Sequence, residues 1–324
     1  MTNSTSAVNL TDVPAGGQTT AEIIISVFEI AIVPVIVGGN ILIISAVCRF
    51  KNLRSASNVM IASLAVGDLM MGGIYMPTKL LLTFYGHLFA HRMPCLINIF
   101  LSSFSVMTAM LLLSMISIER FYAVQFPFHY HSNMTARRCV AWSTTTFAVS
   151  LVMALPSLGG IDLWTSGIRC LNTKVLPGYY VWSLTLVILM VQLVGFLCFL
   201  RVLAAEISIR MRFVNVQQSE RRCPDSVKST LILTVYVFSI LCWIPQAVYL
   251  FVAKLNPQTV SVFNLRVVSF TAVCSSGVNC FIYGTKNSSF RRAFRKMFRC
   301  RVRQVEPMAM TEGITRQGSS CITQ

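Results

Sequence analysis

The clearest shortage in this chain is charge. Of its 324 residues 12% are charged, about half the fraction of an ordinary soluble domain. Only 11 residues are acidic, against 27 that are basic, whereas 55% of the chain is hydrophobic. The stretch from Met93 to Ile118 contains no charged residue at all. This composition excludes a typical water-soluble domain and indicates segments that lie in a lipid bilayer.

Several chemistries are also missing. The sequence has no phosphate-binding glycine loop, no cluster of residues at metal-ligand spacing and no nucleophile–base pair at a usable spacing, so it does not predict an enzyme. It has no internal repeat of the kind that transporters often show. The 11 cysteines are too scattered for the disulfide framework of a small secreted domain.

What is present is a set of seven apolar blocks, each near or above the ~20 residues that a helix needs to cross a bilayer. Helix is the expected form because an isolated segment must satisfy its own backbone hydrogen bonds in lipid. We therefore predict an all-α membrane protein whose seven-transmembrane helix bundle covers residues 23–285. The blocks are Ile30–Cys48, Ser55–Thr78, Met93–Ile118, Cys139–Ile161, Val175–Leu200, Ser229–Ala253 and Val267–Thr285.

The basic residues are distributed unevenly between the two sides of this predicted bundle. Of the 27 Lys and Arg residues, 21 fall on the side that holds the C-terminus. The positive-inside rule then predicts a cytoplasmic C-terminus and an outer N-terminus. We expect the protein to lie in the plasma membrane. Basic loops between spans favour anionic lipid headgroups and an acidic cytosolic partner over nucleic acid. Residues 1–22 are expected to be extracellular and glycosylated at the sequons of Asn3 and Asn9.

A short basic segment follows the last span. Phe290, Phe294 and Phe298 recur every four residues among Arg and Lys, which is typical of a helix that lies along a membrane interface. We expect this amphipathic eighth helix over residues 286–300, followed by a cytoplasmic tail over 301–324. Cys300, at the end of the helix, is a candidate for palmitoylation.

Polar groups inside the spans are informative because burying them in lipid is unfavourable. Asn40, Asp68 and Asn279 lie at similar depths in the first, second and seventh spans. They could bind water or a small cation, or they could form a network that only holds helices together. Pro245 predicts a kink in the sixth span, which is either a lever for the inner half of the helix or a static bend.

Several of these residues belong to a recognisable series of motifs. The series is Gly39-Asn40, "LAVGD" at Leu64–Asp68, Cys95, "ERF" at Glu119–Phe121, Trp142, "CWIP" at Cys242–Pro245 and "NCFIY" at Asn279–Tyr283. With these motifs in this order, the chain resembles a class A (rhodopsin-like) G-protein-coupled receptor over nearly all of its length. The resemblance implies an extracellular ligand and a heterotrimeric G protein as partners, with arrestin as a further candidate.

The resemblance also implies roles for individual residues. Arg120 would be held by Glu119 and by Asp225 at the base of the sixth span, and on activation Arg120 and Tyr283 would open a cleft for the G protein. Trp243, Pro245 and Asn279 would form the activation switch. Cys95 and Cys170, whose spacing alone leaves a bridge undecided, would form a disulfide. An allosteric sodium site would involve Asn40, Asp68, Ser105, Ser275, Ser276 and Asn279.

Three positions depart from the family pattern. Ala109 stands where a serine sodium ligand is common, Phe121 replaces the tyrosine after the arginine, and Cys280 replaces a proline of the seventh span. The last change predicts a less kinked helix. Pro127 is expected to end the third helix, which would make Gln125–Tyr130 a loop that faces the partner.

Exclusions narrow the choice of ligand. Ser102 stands where amine receptors carry an aspartate, and the seventh span has no lysine for retinal, so no retinal cofactor is expected. Lys79 and Arg266 could clamp an anionic group of the ligand. Alternatively, Lys79 pairs with Glu29 and Arg266 extends to the lipid headgroups.

The predicted ligand pocket thus contains Lys79, Ser102, Trp243 and Arg266, and a small molecule, a lipid or a short peptide could enter it. Two other functions stay open. The chain could be a seven-helix decoy or dimer partner that does not signal, or, less favoured, a transporter.

Overall fold

The computed structural model describes residues 19–86, 91–165, 170–214, 224–255 and 261–305. Within these ranges the chain is helical with short connections and contains no strand. Seven of its helices are long and apolar enough to cross a membrane, which confirms the predicted fold class. The long helices, numbered in chain order, are α1 (Thr20–Arg49), α2 (Ala56–Phe84), α3 (Arg92–Gln125), α4 (Ala136–Ala154), α5 (Gly178–Val214), α6 (Pro224–Leu255), α7 (Val262–Lys286) and α8 (Ser288–Val305).

Helix α3 lies at the centre of the bundle. In its most apolar window 61% of the residues are buried, compared with 17% in α5 and in α6. The exposed residues of α5 include Leu186, Leu189 and Leu193, which repeat every three or four positions. An outward apolar face of this kind suits contact with lipid, because water would not tolerate so large an exposed apolar surface.

Two buried apolar clusters mark the ends of the bundle. In one, Leu96, Ile99 and Tyr180 pack around the Cys95–Cys170 disulfide, and we call this part the disulfide end. The other cluster surrounds Tyr283 and extends to the turn of α3 that carries Arg120, and we call this part the Arg120 end.

Helix α2 contains a π-helical turn at Met71–Tyr75. A Cβ atom added to Gly72 in this turn would lie 2.5 Å from Cγ2 of Ile36 on α1. Only glycine therefore allows the two helices to approach so closely. Turns of this type are frequent near functional sites, because they change the direction of the side chains that follow.

The presence or absence of proline shapes the course of α7 and the end of α3. Helix α7 runs unbroken from Val262 to Lys286, with Cys280 against Gly39 of α1. The loop expected at Gln125–Tyr130 is only partly correct, because a short helix, Pro127–Asn133, begins there. Pro127 ends α3 and also favours the first turn of a new helix, where its missing N–H is not needed.

The last helix begins at Ser288 and continues to Val305, so it starts later and ends later than the predicted 286–300. Its Phe290 is buried against Tyr283, whereas Phe298 is exposed. Asn3, Asn9 and the tail beyond 305 lie outside the described residues, as does the side chain of Cys300. Glycosylation and palmitoylation therefore stay predictions.

Candidate functional site

Arg120 lies in a buried polar cluster at the end of α3. Its Nε donates to Oε2 of Glu119 at 2.6 Å, and its Nη2 donates to Glu119, to Ser57 of α2 and to the Tyr130 hydroxyl. Glu119 is fully buried, and Arg120 is 5% exposed. A buried ion pair whose donors and acceptors are satisfied is held firmly, because breaking it leaves a charge without a partner.

Tyr130 closes this cluster from the short helix Pro127–Asn133. Its hydroxyl donates to Glu119, and the Arg120 guanidinium also lies 5.9 Å from the centre of its ring. Burial and the charge of Glu119 raise the pKa of Tyr130 to about 12, since both disfavour the phenolate. No pattern in the sequence pointed to Tyr130 or Ser57, because neither residue type is unusual at its position.

The remaining residues expected to couple to the partner lie nearby or outside the described side chains. Asp225 belongs to α6, but its side chain is among those not described, so its predicted contact with Arg120 stays a prediction. Tyr283 is 1% exposed and packs on Phe290 of α8. Its ring therefore joins the end of α7 to α8.

Asp68 and Asn279 meet in the middle of the bundle, where Nδ2 of Asn279 donates to Oδ2 of Asp68 at 2.7 Å. Nδ2 of Asn40 donates to the Ser276 carbonyl of α7 at 3.2 Å. Asp68, Ser275, Ser276 and Asn279 line a small cavity together with Ser239 of α6, which sequence analysis missed. Ser105 is buried about one turn from Ala109 and does not line the cavity, whereas Ala109 does.

The cavity also touches the predicted switch. Trp243 is half-buried and lines the cavity above Asn279, and Pro245 lies within the same helix two residues on. Ser102 is half-buried on α3, about two turns closer to the disulfide end than Ala109. Ligand contact with Ser102 and Trp243 stays a prediction.

A second polar bridge crosses the bundle at α5. The Ser114 hydroxyl of α3 donates to Oε1 of Gln192, whose Nε2 contacts Sδ of Met110. The Tyr236 hydroxyl of α6 donates to the Gln192 carbonyl at 3.3 Å. Gln192 therefore ties α5 to two neighbours in a helix that has no interior proline. An isolated glutamine within an apolar run was the available signal for this bridge.

At the disulfide end, Glu29 of α1 lies between the two basic residues of the predicted anion clamp. Its Oε1 accepts from Nζ of Lys79 at 2.9 Å, and its Oε2 accepts from Nη2 of Arg266 at 2.8 Å. The alternative pairing is therefore correct for Lys79. The prediction that Arg266 extends to the lipid headgroups is wrong, because the residue is only 8% exposed and its guanidinium contacts Glu29.

The loops at this end are fixed by a bridge and an ion pair. Cys95 of α3 is bonded to Cys170, with their Cα atoms 5.6 Å apart, as the resemblance implied. Nε of Arg92 donates to Oδ1 of Asp162 at 3.1 Å, and this interaction lowers the pKa of the Asp162 carboxyl. The disulfide and the ion pair thus both attach the segment between α4 and α5 to the start of α3.

Seven helices that are long and apolar enough to cross a membrane, joined by a disulfide at one end and a buried Glu-Arg pair at the other, indicate a multi-pass membrane protein. The model of the seven-transmembrane receptor family (rhodopsin family) matches residues 39–283. The chain therefore belongs to that family, whose members are receptors rather than enzymes.

Curated relatives agree with this assignment. The chain is 27% identical over 263 residues to melatonin receptor type 1B-B of Danio rerio, covering 79% of this chain and 76% of the relative. It is 25% identical over 266 residues to melatonin receptor type 1C of Gallus gallus, covering 80% and 77%. It is also 23% identical over 281 residues to neuropeptide Y receptor type 1 of Xenopus laevis, covering 80% and 76%.

Proposed function

We propose that this receptor binds a ligand at the disulfide end and activates a heterotrimeric G protein at the Arg120 end. The observation that carries the proposal is the buried cluster around Arg120. Its guanidinium is engaged by Glu119, Ser57 and Tyr130, which come from α3, α2 and the short helix Pro127–Asn133. A charge held in this way becomes available to a partner only when the helices move apart, as a conformational switch requires.

The proposed orientation puts the Arg120 end in the cytoplasm of a plasma-membrane protein. Most Lys and Arg residues follow the spans on that side, including the exposed Arg291 and Arg292 of α8. Basic segments beside a span stay on the cytoplasmic side and attract anionic lipid headgroups. The disulfide supports the same orientation, since disulfides persist in the oxidising extracellular space.

The experiment that tests the function is G-protein dissociation in cells that express the receptor. Arg120→Ala should abolish both basal and ligand-evoked dissociation, because it removes the charge that the cluster releases. Arg138→Ala is the matched control, since Arg138 is exposed and bonds only locally to Asn133 and Thr135. Equal dissociation in wild type and Arg120→Ala would contradict the proposal.

The names of the relatives supply the first ligand panel for this assay. Melatonin and related small molecules form one arm, and neuropeptide Y and its fragments form the other. The identities of 23–27% do not decide between them. If the receptor reaches the cell surface and yet shows neither basal nor ligand-evoked dissociation, a decoy or dimer partner is the better assignment. Arrestin recruitment by the same panel tests the further partner.

We also propose sodium as an allosteric ligand of the cavity around Asp68. Oδ1 of Asn40 and Oδ1 of Asn279 are buried and have no hydrogen-bond partner within the described part of the chain. Asn279 lines the cavity with Asp68, whereas Asn40 is not among the residues that line it. The Asn279 oxygen and the Asp68 carboxylate are hard oxygen donors of the kind that small cations prefer. Sodium would supply a positive charge that neutralises Asp68, although Ala109 contributes no ligand.

The sodium proposal predicts a specific ion effect on stability. Wild-type receptor in detergent should unfold at a higher temperature in sodium chloride than in choline chloride, by about 2–4 °C if the ion contributes about 1 kcal/mol. Asp68→Asn should remove the difference while keeping the side-chain volume. A sodium effect of the same size in both proteins would refute the assignment.

A further inference from the structure

The ion cluster of Glu29, Lys79 and Arg266 joins α1, α2 and α7 near the disulfide end. The Glu29 carboxylate is fully buried and accepts one hydrogen bond from each basic residue, at 2.9 and 2.8 Å. Nη2 of Arg266 also donates to the buried Ser26 hydroxyl at 2.8 Å. Three helices are thus tied together by one acidic group.

The charges in this cluster do not balance. One carboxylate faces two cations, so the group keeps a net charge of +1 in a buried position. Nε of Arg266 is buried and has no hydrogen-bond partner among the residues that the structure describes. The Nε–H of an arginine is a hydrogen-bond donor that needs an acceptor. A buried donor without an acceptor, next to an uncompensated charge, is unfavourable for the receptor alone.

We propose that this cluster is an incomplete anion site, and that a singly charged carboxylate or phosphodiester group of the ligand completes it. The incoming group accepts from Nε of Arg266 and from the ammonium of Lys79, which directs one of its three N–H groups to Glu29. This proposal rests on the proposed receptor function and specifies the ligand as one with an anionic group. It differs from a clamp made of two free cations, because Glu29 already accepts a hydrogen bond from Lys79 and another from Arg266.

The geometry also sets the charge that the site accepts. A single negative charge brings the cluster to neutrality, whereas a second one would meet Glu29 at close range. Glu29 therefore selects for a monoanionic group and weakens its binding. Glu29→Gln keeps the shape and removes the repulsion, so it should lower the half-saturating concentration of a monoanion by about tenfold or more.

Acetate is a suitable probe, because acetamide has the same shape without the charge. The full-length receptor, purified in detergent, is titrated with sodium acetate while sodium chloride holds the ionic strength and the sodium concentration constant. Thermal unfolding of the receptor is measured at each acetate concentration. We expect a saturable rise in Tm of about 2–4 °C with acetate and no rise with acetamide.

Variants assign the effect to the cluster. Arg266→Gln should abolish the acetate-dependent rise, and Lys79→Gln is the second variant if Arg266→Gln does not fold. Arg92→Gln is the matched control, because its pair with Asp162 is at the same end but its side chain is 46% exposed. It should keep the wild-type rise. Absence of an acetate-specific rise in wild type, or its survival in both cluster variants, overturns the proposal.

Two sources could supply the same chemistry, a free ligand and an anionic lipid headgroup. The titration is therefore repeated in nanodiscs of phosphatidylcholine alone and of phosphatidylcholine mixed with phosphatidylglycerol. A rise with acetate in both membranes supports a free anionic ligand. If phosphatidylglycerol raises the Tm and acetate then gives no further rise, the site exists and a lipid headgroup occupies it. Neither readout involves a G protein, so the outcome is independent of whether the receptor signals.

Discussion

Removal of one hydroxyl group should make the receptor more active without a ligand. Tyr130→Phe deletes the donor to Glu119 and the acceptor that lies 3.2 Å from Nη2 of Arg120. The ring stays, so its packing on Tyr122 should be kept. The ion pair then loses its hydrogen bonds to the short helix Pro127–Asn133, keeps the contact of Arg120 with the ring, and has Ser57 as its remaining neutral hydrogen-bond partner.

The magnitude follows from the type of bond. A hydrogen bond to a charged group contributes about 1.5–3 kcal/mol, and the half-buried position of Tyr130 favours the lower value. A loss of about 1.4 kcal/mol shifts a two-state equilibrium about tenfold. If about 1% of the unliganded receptor is active, Tyr130→Phe should raise that fraction to roughly 10%.

Basal G-protein dissociation, normalised to the amount of receptor at the cell surface, measures this shift. Tyr122→Phe serves as the control, since it removes the hydroxyl of a neighbouring ring that lies outside the hydrogen-bonded cluster. An increase in Tyr130→Phe and none in Tyr122→Phe is the expected pattern. Unchanged basal activity in Tyr130→Phe would refute the idea that this hydroxyl restrains Arg120.

Two further predictions concern stability. Gly72→Ala should lower the Tm of the purified receptor by several degrees, because the new Cβ would lie 2.5 Å from Ile36. Overpacking of this kind typically costs about 1–3 kcal/mol. Gly73→Ala is the control and should have little effect, since Gly73 is exposed and the nearest atom to its new Cβ would be 3.8 Å away. The pKa of Asp162 is lowered from 3.8 by Arg92, so the stabilisation from this pair is present above about pH 4 and is lost as the pH falls through the lowered pKa. Wild type should therefore lose more stability than Asp162→Asn between pH 5 and pH 3, and equal losses would contradict this.

The sequence predicted those parts of the receptor that depend on composition or on rare residues in an apolar setting. Long apolar runs determine spans, because lipid permits few other structures. Asp68 and Asn279 were predicted to be partners because strongly polar residues within spans seek one another. The contact at 2.7 Å agrees with that expectation.

The parts that the sequence did not reveal depend on common residue types brought together by tertiary structure. Ser57 and Tyr130 are ordinary residues for a helix end and a loop, and 63 positions separate Ser57 from Arg120. Glu29 was considered a partner for Lys79, but its bond to Arg266, 237 positions away, required the packing of α1 on α7. Gln192 was visible as an isolated amide, yet its partners on α3 and α6 depend on the rotation of α5.

The unbroken α5 has a mechanical consequence. Without an interior proline, a helix of 37 residues is a rigid rod of about 55 Å. The bridge from Gln192 to Ser114 holds the rod to the centre of the bundle and divides it into arms of about 21 Å toward Gly178 and about 33 Å toward Val214. If the rod turns about Gln192, an inward displacement of about 1 Å at the short arm moves the far end outward by about 1.6 Å. A ligand that draws the outer end of α5 inward by this small distance would widen the opposite side of the bundle by more than it narrows its own.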